Sequence, residues 1–90
     1  MNKAAIRVIK RECMQWIKDN NLSWGHMQKK SIKQEPLFFP VGWGVLYRIV
    51  QKNSDKVHPN TIKLLLDHFG VECEQKYGII SLVENEENGV

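Results

Sequence analysis

The chain has 90 residues and a formal net charge of +3, a length that suits one domain with a modest core and leaves room for burial against a partner. No apolar run approaches the roughly 18 residues of a membrane span, and the N-terminus lacks the apolar stretch of a signal peptide. Two cysteines, Cys13 and Cys73, make no disulfide framework, so buried free thiols and a cytoplasmic protein are expected.

The charge is divided along the chain. Residues 1–63 carry twelve Lys/Arg against four Asp/Glu, a net +8, whereas residues 64–90 carry one against six, a net −5. Such a basic body can neutralise phosphates while the acidic end repels them. An ordinary solvated surface gives the same composition.

The first predicted element is a long helix from Asn2 to about Asn20. Ala5, Ile6, Ile9, Cys13, Trp16 and Ile17 share one face, with Lys3, Arg7, Lys10, Arg11 and Lys18 largely opposite. Asp19-Asn20-Asn21 ends it with turn-forming residues. Ser23 then suits the N-cap of a second, more superficial helix with Trp24, Met27 and Ile32 as its apolar residues. Pro36 closes that helix. The following Pro36-Leu37-Phe38-Phe39-Pro40-Val41-Gly42 is too apolar for a solvated linker and too rich in Pro and Gly for a helix. It reads as an ordered loop with its aromatics tucked onto the core, or else as an exposed apolar patch for a partner.

Two short helices follow, joined by a polar, basic loop. In the first, Gly42 to about Gln51, the residues Val45, Leu46, Ile49 and Val50 form a buried stripe. Pro59-Asn60-Thr61 supplies helix-start chemistry for the second. Its stripe is Ile62, Leu65, Leu66 and Phe69, and Gly70 suits a left-handed cap. Beyond it, Val71-Glu72-Cys73-Glu74 alternates as a half-buried strand, Tyr77-Gly78 offers a turn, and Ile79 to Val83 reads as a second strand. A two-stranded ribbon is marginal alone, so it must lie on the helices or pair with another copy. Residues 1–83 thus form the domain, and the acidic 84–90 is expected to be a disordered tail.

The order helix, helix, helix, basic loop, helix, strand resembles the phage-repressor/Cro-type helix-turn-helix proteins of the xenobiotic-response-element class. Leu46-Tyr47-Arg48-Ile49 resembles the family's Leu-Ser-Arg-Ile recognition helix. His58 to Val71, HPNTIKLLLDHFGV, resembles the Pro-containing loop and Thr-Leu…Leu…Leu-Gly-Val helix that follow it. Leu22-Ser23 and Met27 look like the start of the family's second helix, and the likeness spans roughly residues 6–72. The chain departs from the pattern in three places. Trp24 stands where Gln is usual, Gln28 where a small residue is usual, and the path from Met27 to Val41 is several residues too long. The resemblance implies a mainly α fold: a four- to five-helix repressor-like helix-turn-helix domain with a short C-terminal β-strand or hairpin. It also implies a sequence-specific DNA-binding transcriptional regulator, usually a repressor of a phage or mobile element.

A recognition helix sets side chains against base edges in the major groove. By helix phase the candidates are Trp43, Gly44, Tyr47, Arg48 and Gln51. Arg48 can donate two bonds to guanine, Gln51 can pair with adenine, and Trp43 can stack or touch a thymine methyl. The glycines permit close backbone approach. Trp43 and Tyr47 would equally pack on the apolar loop. Ser23, with the N–H groups opening its helix, and Lys29, Lys30, Lys33, Lys52, Asn53 and Lys56 are the candidates for phosphate contact. Double-stranded DNA is the expected partner, with a homodimer through residues 71–83 placing two heads on a palindrome.

No catalytic site is expected. His26, His58 and His68 lack partners at metal-ligand spacing, no Gly-rich phosphate loop occurs, and no nucleophile stands with its base. No cofactor, metal or small-molecule substrate is implied. A reading of a different class remains: a helix-turn-helix-framed interaction module, inhibitor- or antitoxin-like, that holds a protein partner through Trp24, Phe38, Phe39 and Trp43.

Overall fold

The computed structural model describes residues 2–33, 39–52, 54 and 56–83. Pro36, Leu37, Phe38, Asn53 and the acidic tail expected to be disordered lie outside the described residues. Four helices and one hairpin follow in chain order: α1 (Lys3–Asp19), α2 (Trp24–Ile32), α3 (Trp43–Val50), α4 (Pro59–His68), β1 (Cys73–Lys76) and β2 (Ile79–Leu82). The chain is therefore mainly helical with a short C-terminal antiparallel ribbon.

Helix α1 is the central strut, packing against α3, α4 and β2. Its stripe is the one its sequence spacing demands, with Ala5, Ile6, Ile9, Cys13 and Ile17 buried. Trp16, on the same face, is half-buried and meets Phe39 edge-on at 5.2 Å between ring centroids. Phe39 itself is only 6% exposed and also touches Phe69, at 5.7 Å. The described end of the apolar loop thus belongs to the core, which removes Phe39 from any exposed partner-holding patch. Leu46, Ile49 and Val50 of α3 and Ile62, Leu65 and Leu66 of α4 complete the same core.

Several ends differ from their sequence reading. The Nδ1 of His58, not a short polar residue after Pro59, accepts the Asn60 N–H at 3.1 Å and caps α4. Pro59 then occupies the first turn, where its missing N–H costs nothing. Ile32 is 75% exposed and contributes nothing to the core, since α2 ends there with its stripe reduced to Met27 and the half-buried Trp24. Gly70, at φ +73°, does take the left-handed position after α4.

The ribbon starts later than alternation suggests, at Cys73 rather than Val71. Tyr77 and Gly78 both have positive φ, 54° and 78°, the signature of a two-residue I′ turn. That turn sets the register outward, pairing Lys76 with Ile79 and Cys73 with Leu82. The ribbon lies on α1 and α4 with Ile80 buried. Asn2 fastens it from the other end of the chain, accepting the Ile80 N–H at 2.9 Å and donating to the Gly78 carbonyl at 3.1 Å. Cys13 is buried, as expected, but Cys73 is only half-buried, and neither forms a disulfide.

Candidate nucleic-acid interface

Helix α3 has eight residues and two unlike faces. Leu46, Ile49 and Val50 face the core with half-buried Val45, while Gly44, Tyr47, Arg48 and the following Gln51 are exposed. This division follows from the 3.6-residue period, because burying 46, 49 and 50 turns 44, 47, 48 and 51 outward. The helix begins at Gly42 without a side-chain cap, so its first N–H groups have no protein partner of that kind.

Arg48 is the exposed cation of this face. Among the described residues the ion pairs are Arg11–Glu12 at 3.7 Å and Lys63–Asp67 at 3.0 Å, and neither engages Arg48. Lys63 is drawn instead into the Asp67 hydrogen bond, which holds its ammonium above the ordinary lysine range. The guanidinium of Arg48 therefore keeps its planar donor fork available among these residues.

The aromatic candidates are held differently. Trp43 is half-buried, and its ring packs on Trp24 of α2 at 4.7 Å with a 35° tilt. Tyr47 stands 6.0 Å from Trp43 and is 38% exposed, and the Lys52 ammonium lies 5.8 Å above its ring. A row of Trp24, Trp43, Tyr47 and Lys52 thus runs from α2 across α3 into the following loop. Trp43 leans on α2 through Trp24. That contact joins α2 to α3, although residues 33–42 separate them, a longer link than the three- or four-residue turn of a helix-turn-helix.

The phosphate candidates fall into two groups. Ser23 caps α2 by accepting the His26 N–H at 3.3 Å, and the Ser23 N–H donates back to His26 Nδ1 at 2.9 Å. The hydroxyl is thereby committed to the helix start, in a capping box whose usual Glu or Gln is replaced by an imidazole. Lys29 and Lys33 are exposed on and just beyond α2, and Lys30 is half-buried. Lys52 and Lys56 are exposed beyond α3, while Asn53 lies outside the described residues.

Sequence spacing did not single out His26, His58 or Asn2 for these roles. For the histidines a signal existed: Ser23-x-x-His26 has capping-box spacing, and a Pro at the first helical position points to the residue before it as the cap. The described residues contain no cluster of three or more His, Cys, Asp or Glu placed to hold a metal ion. No described helix is long and apolar enough to cross a membrane. Searches against protein-family models, curated proteins and solved structures found no match.

Proposed function

We propose that this protein is a sequence-specific double-stranded DNA-binding regulator that presents α3 to the major groove. The observation that carries the reading is Arg48, exposed on the outward face of a helix braced from behind, with no ion-pair partner among the described residues. An arginine in that position can donate two parallel bonds to the O6 and N7 of guanine. Gln51, one turn on from Arg48, would meet adenine, and Tyr47, also exposed, stands on the same outward face. Lys29, Lys33, Lys52 and Lys56 are the exposed candidates to neutralise phosphates, and Lys30 the half-buried one. The resemblance to phage-repressor/Cro-type proteins supports the same reading, with repression of a phage or mobile-element promoter in the cytoplasm as its setting. A homodimer through residues 71–83 would set two α3 helices on a palindromic site.

The test is selection from a randomised duplex library on immobilised protein, with sequencing of what the protein retains and fluorescence anisotropy on the enriched duplex. Wild type should enrich a guanine-containing motif, and Arg48→Ala should weaken binding to it by about 1–3 kcal/mol and relax the preference at one position. Equal retention of all sequences by both proteins would remove the base-reading role. A second reading has one observation in its favour, the half-exposed Trp24–Trp43–Tyr47 row at positions where polar readers are usual. In that case α3 would hold a protein rather than DNA, and Trp43→Ala would abolish partner binding while Arg48→Ala would not.

A further inference from the structure

The two edges of the ribbon are in different states. Val83 donates its N–H to the Glu72 carbonyl at 3.1 Å. Antiparallel pairs alternate, so Glu74 with Ser81 and Lys76 with Ile79 exchange the other bonds within the ribbon. The backbone N–H and C=O groups of Ile80 on one side, and of Cys73 and Gln75 on the other, therefore point away from it. On the β2 edge, Asn2 engages the Ile80 N–H and the Gly78 carbonyl. Along the β1 edge no described strand follows, and among the described residues no backbone group outside the ribbon bonds to Cys73 or Gln75. Glu74, Gln75 and Lys76 are all exposed. Such an edge is a template for another strand.

The charges on β1 are complementary to those of a second β1. Two copies related by a two-fold axis pair antiparallel, with one residue opposite its own counterpart. When that residue is Gln75, Glu74 of each copy faces Lys76 of the other, and no like charges meet. When it is Glu74, two Glu74 carboxylates face each other, and when it is Cys73, Glu72 faces Glu74. Charge thus selects the first register.

We infer that the β1 edge takes a second copy of this chain, β1 on β1 in antiparallel register centred on Gln75, joining two ribbons into a four-stranded sheet. This rests on the homodimer through residues 71–83 and deepens it by naming the edge and the register. Asn2, set against Gly78 and Ile80, blunts the β2 edge, so the sheet closes as a pair instead of extending from copy to copy.

Sedimentation equilibrium of the full chain at rising concentration measures the association, with thermal melts alongside to confirm that each variant is folded. Glu74→Lys or Lys76→Glu should weaken self-association by about 2- to 30-fold, the factor for two cross-strand charge pairs, and the double variant should recover it. Disulfide trapping reads the register. In a Cys73→Ser background, Gln75→Cys sets two thiols on paired residues with Cα atoms about 5.5 Å apart, and mild oxidation should give a covalent dimer. That variant gives up only the exposed hydrogen bond from Gln75 to Asn60. Glu74→Cys in the same background is two residues out of register with itself, beyond the roughly 7 Å that a disulfide spans, and should not be trapped. A dimer indifferent to both charge reversals, or trapped through Glu74→Cys instead of Gln75→Cys, overturns the edge and register while leaving a homodimer through residues 71–83. A chain that stays monomeric and untrapped throughout overturns both, and leaves the Arg48 reading to its own test.

Discussion

Asn2 and Ile80, seventy-eight positions apart, share a buried hydrogen bond of 2.9 Å between the Asn2 side-chain carbonyl and the Ile80 N–H. The same amide donates to the Gly78 carbonyl, so one side chain just before α1 serves both a donor and an acceptor of the ribbon. Asn2 is 7% exposed, which makes these bonds costly to break. Truncation to alanine strands a buried N–H, at about 1–3 kcal/mol. Asn2→Ala should therefore lower the melting temperature and speed hydrogen exchange at Ile80. Asn2→Asp should also destabilise, because a carboxylate accepts from Ile80 but faces the Gly78 oxygen with no proton to donate. An Asn2→Ala variant as stable as wild type would show that the ribbon is held by Ile80 packing alone.

Cys13 lies within the α1 stripe, and burial, with the Glu12 carboxylate second, pushes its thiol from 9.0 up to about 12. A folded-state value above the unfolded one means that the native state binds the proton more tightly. The associated stability is complete below about 9 and is lost as pH rises from there toward 12. Its ceiling is about 4 kcal/mol by linkage. Urea midpoints should thus fall more steeply above pH ~9 for wild type than for Cys13→Ala, which starts lower because of its cavity. The half-buried Cys73 should react first with a thiol reagent, and Cys13 only on unfolding. Parallel alkaline slopes for wild type and Cys13→Ala would rule out this linkage.

Trp24 and Trp43 carry the contact between α2 and α3. A tilted pair at 4.7 Å contributes about 0.5–1.5 kcal/mol beyond its buried area. Trp24→Ala should cost that much and more in stability, and should let the outward face of α3 shift. Trp24→Phe should restore most of both. If α3 reads DNA as proposed, loss of the Trp24 brace on Trp43 should lower DNA affinity without changing the slope of affinity against salt, which counts phosphate contacts. A changed slope would place Trp24 at the phosphates instead.

The contrast between what the residues announced and what they concealed follows the range of each interaction. The stripes of α1, α3 and α4 were legible because Ile6, Ile9, Cys13 and Ile17, or Leu46, Ile49 and Val50, repeat within one helix. Ser23 was legible as a cap for the same reason. The start of β1 was misplaced because alternation at Val71 and Glu72 is a weaker constraint than the I′ turn at Tyr77–Gly78, which counts the register from its own ends. Asn2 and the Trp24–Trp43 pair could not be read, since their partners lie far along the chain and only the packed fold unites them. On α3, helical phase sufficed to turn Gly44, Tyr47, Arg48 and Gln51 outward. It could not show that Trp43 would lean on α2, or that the Ser23 hydroxyl would be spent on its own helix.

The lysines make the last prediction. If Lys29, Lys33, Lys52 and Lys56 meet phosphates, each releases about one condensed counterion, and log affinity falls with log salt at a slope of about −0.9 per contact. Removing one should reduce the slope by about one and weaken all sequences alike. Lys52 should differ in degree from the rest. Its ammonium stands 5.8 Å over the Tyr47 ring, so Lys52→Ala should also loosen Tyr47 and disturb base preference. Lys63→Ala provides the control. That side chain is engaged by Asp67 at 3.0 Å on α4, and its loss should leave the slope unchanged. Anisotropy titrations of the enriched duplex over a range of potassium chloride concentrations measure the wild-type slope and those of the five variants. A flat dependence for wild type would mean that the basic residues of α2 and the α3–α4 loop face solvent, and that α3 meets something other than a polyanion.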